Sequence, residues 1–145
     1  MKTTNRKFKF KGLALQMDAL TYTIFIIGVV CMGVVGWVVY KDMASSNTVS
    51  VELDNIQTAV ISYQAYNRNG KAPSDISTLF EDDAIPASNS TDGRVHGNFL
   101  SSTNRWSSGT AVDPWGEPYT IILTDNNRHG TIQSTGSGEA ISKTF

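Results

Sequence analysis

From Ala19 to Tyr40 the chain runs for 22 residues without a charge, ALTYTIFIIGVVCMGVVGWVVY. As a helix this run is about 33 Å long at ~1.5 Å per residue, enough to cross a hydrocarbon core of about 30 Å. A small soluble core has no need of so long an uncharged helix. The run also exceeds the roughly 7–15 apolar residues of a cleavable secretory signal, whose end is marked by small residues. Here the end is Trp37-Val-Val-Tyr-Lys-Asp42, bulky and then charged. The sequence therefore predicts one membrane-spanning helix.

Charge orients it. Residues 1–12 carry five positive side chains (Lys2, Arg6, Lys7, Lys9, Lys11) and no acid. Residues 41–145 carry seven basic and twelve acidic side chains, a net of −5. A basic flank stays on the cytoplasmic side, so the N-terminus is expected in the cytoplasm and everything after Lys41 is expected outside. Trp37 and Tyr40 then fall at the outer interface, where amphipathic rings prefer to sit. The length of 145 residues fits one domain, and the near-neutral total charge of −1 gives no footprint for nucleic acid. The only cysteine, Cys31, has no partner within the chain, which excludes a disulfide scaffold.

Past the apolar run there is no glycine until Gly70 and no proline until Pro73. Val49, Leu53, Ile56, Val60 and Tyr63 follow one another at spacings of 4, 3, 4 and 3, one stripe of an amphipathic helix. Asn67-Arg-Asn-Gly70 reads as its end, with Gly70 as a left-handed cap. One long helix over about 13–67 is expected, its first half bare and apolar, its second half laid on a globular domain. Residues 71–113 read as loop, with a short helix at Ser77-Thr-Leu-Phe-Glu81 and at most one edge strand. Thr120-Ile-Ile-Leu123 and Gly130-Thr-Ile-Gln-Ser134 are β-rich runs joined by the turn-rich Asp125-Asn-Asn-Arg-His-Gly130. The fold class is thus α+β: a long N-terminal helix packed on a small antiparallel sheet of three or four strands, since such a sheet needs a cover.

A basic leader ending in glycine (Lys9-Phe-Lys-Gly12), an apolar helix, an amphipathic helix and a small C-terminal sheet together resemble a type IV prepilin or pseudopilin. Asp113-Pro-Trp-Gly-Glu-Pro-Tyr119 closely resembles the D-P-W-G-x-P-Y segment of the major pseudopilin of type II secretion and of related short pilins. In that family it precedes a strand, as Thr120-Ile-Ile-Leu123 does here. Thr131-Ile-Gln-Ser-Thr-Gly-Ser-Gly138 is similar to the family's closing strand and loop. The resemblance covers nearly the whole chain.

It implies a leader over 1–12, a transmembrane and polymerisation helix over 13–40, and an exported pilin-like domain over 41–145. A membrane prepilin peptidase would cut between Gly12 and Leu13, leaving Leu13 as an N-methylated first residue. Mature subunits would leave the inner membrane, through an assembly platform driven by a separate ATPase, for a type IV pilus or a periplasmic pseudopilus. The partners implied are copies of the chain, the peptidase, the platform and, before assembly, membrane lipid; no nucleic acid is expected. Elementary physics points the same way. An apolar helix that leaves lipid must bury its surface, worth about 25 cal/mol per Å², and bundling with identical helices does so. Gly28, Gly33 and Gly36 would let such helices approach closely, and would weaken the helix by about 1 kcal/mol each.

The chain departs from the family pattern in two places. Where phenylalanine or another large residue usually follows the cleaved glycine there is Leu13, a start tolerated notably in type IVb-like pilins. Four residues later, where glutamate is usual, there is Met17, and the acid is Asp18. In the family that acid neutralises the N-terminal amine of a neighbouring subunit. One residue is about 100° around a helix. Two readings of Asp18 therefore stay open: a counter-charge in a shifted register, or an interfacial acid with no such role.

No enzyme is read from the remaining residues, and neither a cofactor nor a metal. There is no Gly-x-Ser-x-Gly elbow, HExxH or phosphate loop; Ser134-Thr-Gly-Ser-Gly138 lacks the lysine of the last and reads as a turn. Cys31 is expected to be a packing residue. His96 and His129 read as surface loop histidines without metal-ligand spacing. Glu81-Asp-Asp83 lacks the alternating acids and central glycine of an EF-hand and reads as a solvated acidic turn. Family members hold calcium near the C-terminal loop, but here that loop offers only Glu139. Asp113, Pro114, Trp115 and Gly116 are expected to form a proline-fixed turn with a buried indole, a fold motif rather than a binding site. Two other functions are kept in view. One is a bitopic, membrane-anchored binding protein that keeps its N-terminus; the other is a tethered envelope enzyme using His96 or His129.

Overall fold

A computed structural model describes residues 19–103, 105–107 and 109–145. The chain divides into two units between Val38 and Val39. Helix α1 spans Ala19–Tyr66, 48 residues. The expected start near Leu13 lies outside the described residues.

The first unit contains only helix among its described residues, and its apolar side chains are bare. Phe25, Val35 and Trp37 are 61%, 62% and 68% exposed. This is the one helix, among the described residues, long and apolar enough to cross a membrane, and none of its most apolar window is buried.

The second unit owes its core to the stripe read from the sequence. Val49, Leu53, Ile56 and Val60 are all at most 2% exposed, with Ala59 beside them. Tyr63 closes the stripe half-buried, its ring edge-on to Phe99 at 5.6 Å between centroids. Opposite lie Ile76, Leu79, Leu100, Trp106, Ala111, Tyr119 and Ile132. Each fully buried Leu or Ile contributes about 1.5–3 kcal/mol, so this stripe is what fixes the rest of the domain to α1.

The helix ends as the sequence indicates, but by a different device. Asn67 terminates it, its side chain donating to the Lys71 carbonyl at 3.0 Å and accepting the Asn69 N–H at 3.2 Å. Gly70 does have a left-handed φ of +60°, yet it sits beyond the helix and closes the Asn67–Gly70 turn at 2.8 Å. The expected cap is therefore a turn residue, because the Asn67 side chain already takes over the helix end.

The short helix is a 3₁₀ turn over Ile76–Phe80, one residue earlier than expected, because the Asp75 carboxylate caps the Ser77 N–H at 2.7 Å. The segment to 113 holds more pairing than the single edge strand expected. Two two-residue strands, β1 (Trp106–Ser107) and β2 (Thr110–Ala111), pair antiparallel, and isolated bridges join Asn67 to Ser90 and Ile85 to His96.

The main sheet has three antiparallel strands in the order β3 (Thr120–Thr124), β4 (His129–Ser134), β5 (Ile141–Thr144). The α+β expectation holds at this level: a long helix and a small antiparallel sheet. Ile132 pairs with Ile121 on one side and Lys143 on the other. Alternation along β4 buries Gly130, Ile132 and Ser134 toward the core. Asp125, Asn126 and Asn127 turn the β3–β4 corner with φ of 46°, 55° and 67°; short polar side chains tolerate that region. Polar contacts lash the sheet to α1. Gln57 donates to the Thr144 carbonyl and Gln64 to the Arg128 carbonyl, each at 2.7 Å, while Lys143 pairs with Asp54.

Candidate functional site

Two features stand out: the bare apolar helix and a polar knot built on Asp113. The helix surface comes first, because the sequence reading puts the assembly residues there. Gly28, Gly33 and Gly36 all lie in α1 with open space where a Cβ would be. No packing among the described residues requires them to be glycine. Cys31 is likewise exposed and unpaired on that helix. Gly12, Leu13 and Asp18, read as the processing and pairing residues, lie outside the described residues.

The Asp113 knot is made by residues from two segments, 113–117 and 134–136. The carboxylate is 1% exposed. Its Oδ1 accepts the backbone N–H of Trp115 at 3.0 Å and of Glu117 at 2.9 Å. Its Oδ2 accepts the Ser134 hydroxyl at 2.6 Å and the Gly136 N–H at 3.1 Å. Backbone bonds from Asp113 N–H to Glu117 and from Gly116 N–H to Asp113 close the loop, with Gly116 at φ +96°. Four donors satisfy one buried acid, and the knot ties the 113–119 turn to the end of β4. No carboxylate oxygen is left facing solvent.

The indole of this turn is not the buried one. Trp115 is only half-buried against the core; the sealed indole is Trp106, 4% exposed. Trp106 donates its ring N–H to the Val112 carbonyl at 3.2 Å and meets Tyr119 edge-on at 6.3 Å. It takes the interior place because β1 and β2 fold it under the turn, which nothing in its own neighbourhood of polar residues advertises.

A half-buried acid was not legible in the sequence. Glu52, on α1, pairs with Arg105 and accepts the Tyr119 hydroxyl at 2.7 Å. Burial first, then the hydrogen bond to Glu52, pushes the Tyr119 phenol far above its ordinary range. Tyr63 is also raised, by burial and then by Glu81.

His96 corrects the surface-loop reading. Its ring stacks on Tyr66 at 4.0 Å, its Nε2 lies 2.8 Å from the Asp92 carboxylate, and its side chain is 19% exposed. Asp92 also accepts the Ser90 hydroxyl at 2.6 Å and the Arg94 N–H at 3.0 Å. The Ser90 hydrogen bond first, then those from His96 and Arg94, hold this carboxyl well below the usual range. Serine, aspartate and histidine thus meet here, but not as a catalytic triad. The serine is fully sealed and bonds the carboxylate, so it lacks the serine-to-imidazole contact that activates a nucleophile. His129 lies exposed, 3.8 Å from Asp125. Glu81, Asp82 and Asp83 are exposed, with Asp82 accepting the Asn98 side-chain amide at 2.6 Å. Among the described residues no three His, Cys, Asp or Glu side chains are grouped to hold a metal.

No protein-family model, no curated protein and no solved structure matches this chain.

Proposed function

We propose that the chain is a structural subunit of a type IV pilus or type II secretion-like filament, with a pilin fold and no enzymatic activity. The observation that carries this reading is α1 itself. Residues 21–40 expose an uncharged, largely apolar surface, and further along the same helix Val49, Leu53, Ile56 and Val60 are fully committed to a domain core. One half is already used in folding; the other half needs an apolar environment. Lipid meets that need before assembly, and helices of identical subunits meet it afterwards. The subunit sits first in the inner membrane with its N-terminus in the cytoplasm, then in an extracytoplasmic filament. The Asp113–Gly116 turn supports the reading by being compact, saturated with hydrogen bonds and dependent on glycine.

The test is assembly. Coexpressed with a prepilin peptidase and an assembly platform, the chain is expected in fibres that pellet after shearing or osmotic release. Val30→Lys, a charge set into the exposed half of α1, is expected to abolish fibres while the domain stays folded. Recovery of exported chain only as dispersed, membrane-anchored protein would favour the bitopic binding protein instead.

A further inference from the structure

We propose that Asn89 is the acceptor of an N-linked glycan. This rests on the reading that residues after Lys41 are exported. The ten asparagines of the chain include one that is followed two residues later by a hydroxyl with no proline between, Asn89-Ser-Thr91. That spacing is the acceptor signature for N-glycosylation, which places the hydroxyl beside the amide.

The structure leaves both side chains open to solvent. Asn89 closes a turn, its N–H donating to the Pro86 carbonyl at 2.9 Å, and Ser90 next to it pairs with Asn67 in an isolated antiparallel bridge. Ser90 points inward, sealed, with its hydroxyl on Asp92. Asn89 and Thr91, on either side of it, are both exposed. Their backbones are held by the end of α1: Arg68 N–H donates to the Asn89 carbonyl at 2.8 Å, and Thr91 N–H to the Tyr66 carbonyl at 2.9 Å. Their side chains form no hydrogen bond among the described residues. The amide and the hydroxyl are therefore both open to solvent, and no hydrogen bond of the fold uses either.

The co-substrate is a sugar carried on a lipid pyrophosphate. The Asn89 Nδ2 forms the new bond to the anomeric carbon and the anomeric carbon–oxygen bond to the pyrophosphate breaks. The lipid pyrophosphate leaves with that electron pair, and a base of the transferase takes the amide proton. No oxidant or reductant is involved.

The test is mass spectrometry of the full chain purified from its own cell envelope, reading the tryptic peptide 72–94 and the N-terminal peptide together. The expected result is a glycan mass assigned by fragmentation to Asn89. Occupancy is lost in Asn89→Gln and in Thr91→Val and retained in Thr91→Ser. A processed N-terminus with peptide 72–94 at its bare mass overturns the glycan and leaves the filament reading standing. An intact leader with Asn89 glycosylated does the reverse. A sugar that persists in Thr91→Val, or sits on a serine or threonine, also overturns the proposal.

Discussion

The Ser134 hydroxyl donates to the Asp113 carboxylate at 2.6 Å, with both side chains sealed from solvent. This bond joins the end of β4 to the turn that feeds β3. Asp113→Asn preserves shape but places an amide donor where Ser134 and Gly136 both donate. The expected loss is about 2–4 kcal/mol, the usual cost of breaking a buried charge-assisted network. Thermal unfolding of the full chain in detergent micelles checks it, with Pro114→Ala as a milder comparison.

Gly136 is held to glycine by contact. A Cβ there would lie 2.5 Å from Asp113 Oδ2 and 2.8 Å from the Trp115 Cβ. Gly136→Ala is expected to cost about 1–3 kcal/mol by overpacking. Gly138→Ala, in open space but at φ +84°, is expected to cost about 1 kcal/mol of backbone strain. Comparing their melting temperatures separates crowding from conformation.

The stripe on α1 carries the domain. Leu53→Ala is expected to destabilise by about 2–5 kcal/mol, whereas Val51→Ala, on the exposed side, should stay within about 0.5 kcal/mol. Equal effects on unfolding would show that the helix is not docked as described.

Two groups give opposite pH dependence. Asp92 has its folded value lowered from 3.8. Its contribution is full above that pH and is lost as pH falls through the lower folded value. Amide protection at Arg94 should drop in acid, and Asp92→Asn should abolish that dependence. Tyr119 has its folded value raised above 10.0. Its contribution is full below pH 10 and is lost as pH rises further. Phenolate absorbance should appear with unfolding at alkaline pH, and Tyr119→Phe should remove that coupling.

The long helix and its buried stripe could be read from the sequence because both are periodic: an uncharged run of helical length, then apolar residues at 4, 3, 4, 3. The strands β3 and β4 were legible as β-branched runs about a turn rich in Asp and Asn. What stayed hidden is long-range and polar. Glu52 looks like any surface acid of a helix until Arg105 and Tyr119 arrive, 53 and 67 residues later. His96 looks like loop until Tyr66 stacks on it. Trp106 rather than Trp115 is sealed because two two-residue strands, too short to leave a pattern, turn it inward. The Asp113 turn was expected as a fold motif from its proline and glycine, but its saturation by Ser134 and Gly136 needed the third dimension.

The most direct measurement is the N-terminal residue of the chain isolated from membranes that contain a prepilin peptidase. The account predicts Leu13, methylated on its amine, as the first residue. A chain that still begins at Met1 or Lys2, although exported and exposed to the peptidase, would contradict it.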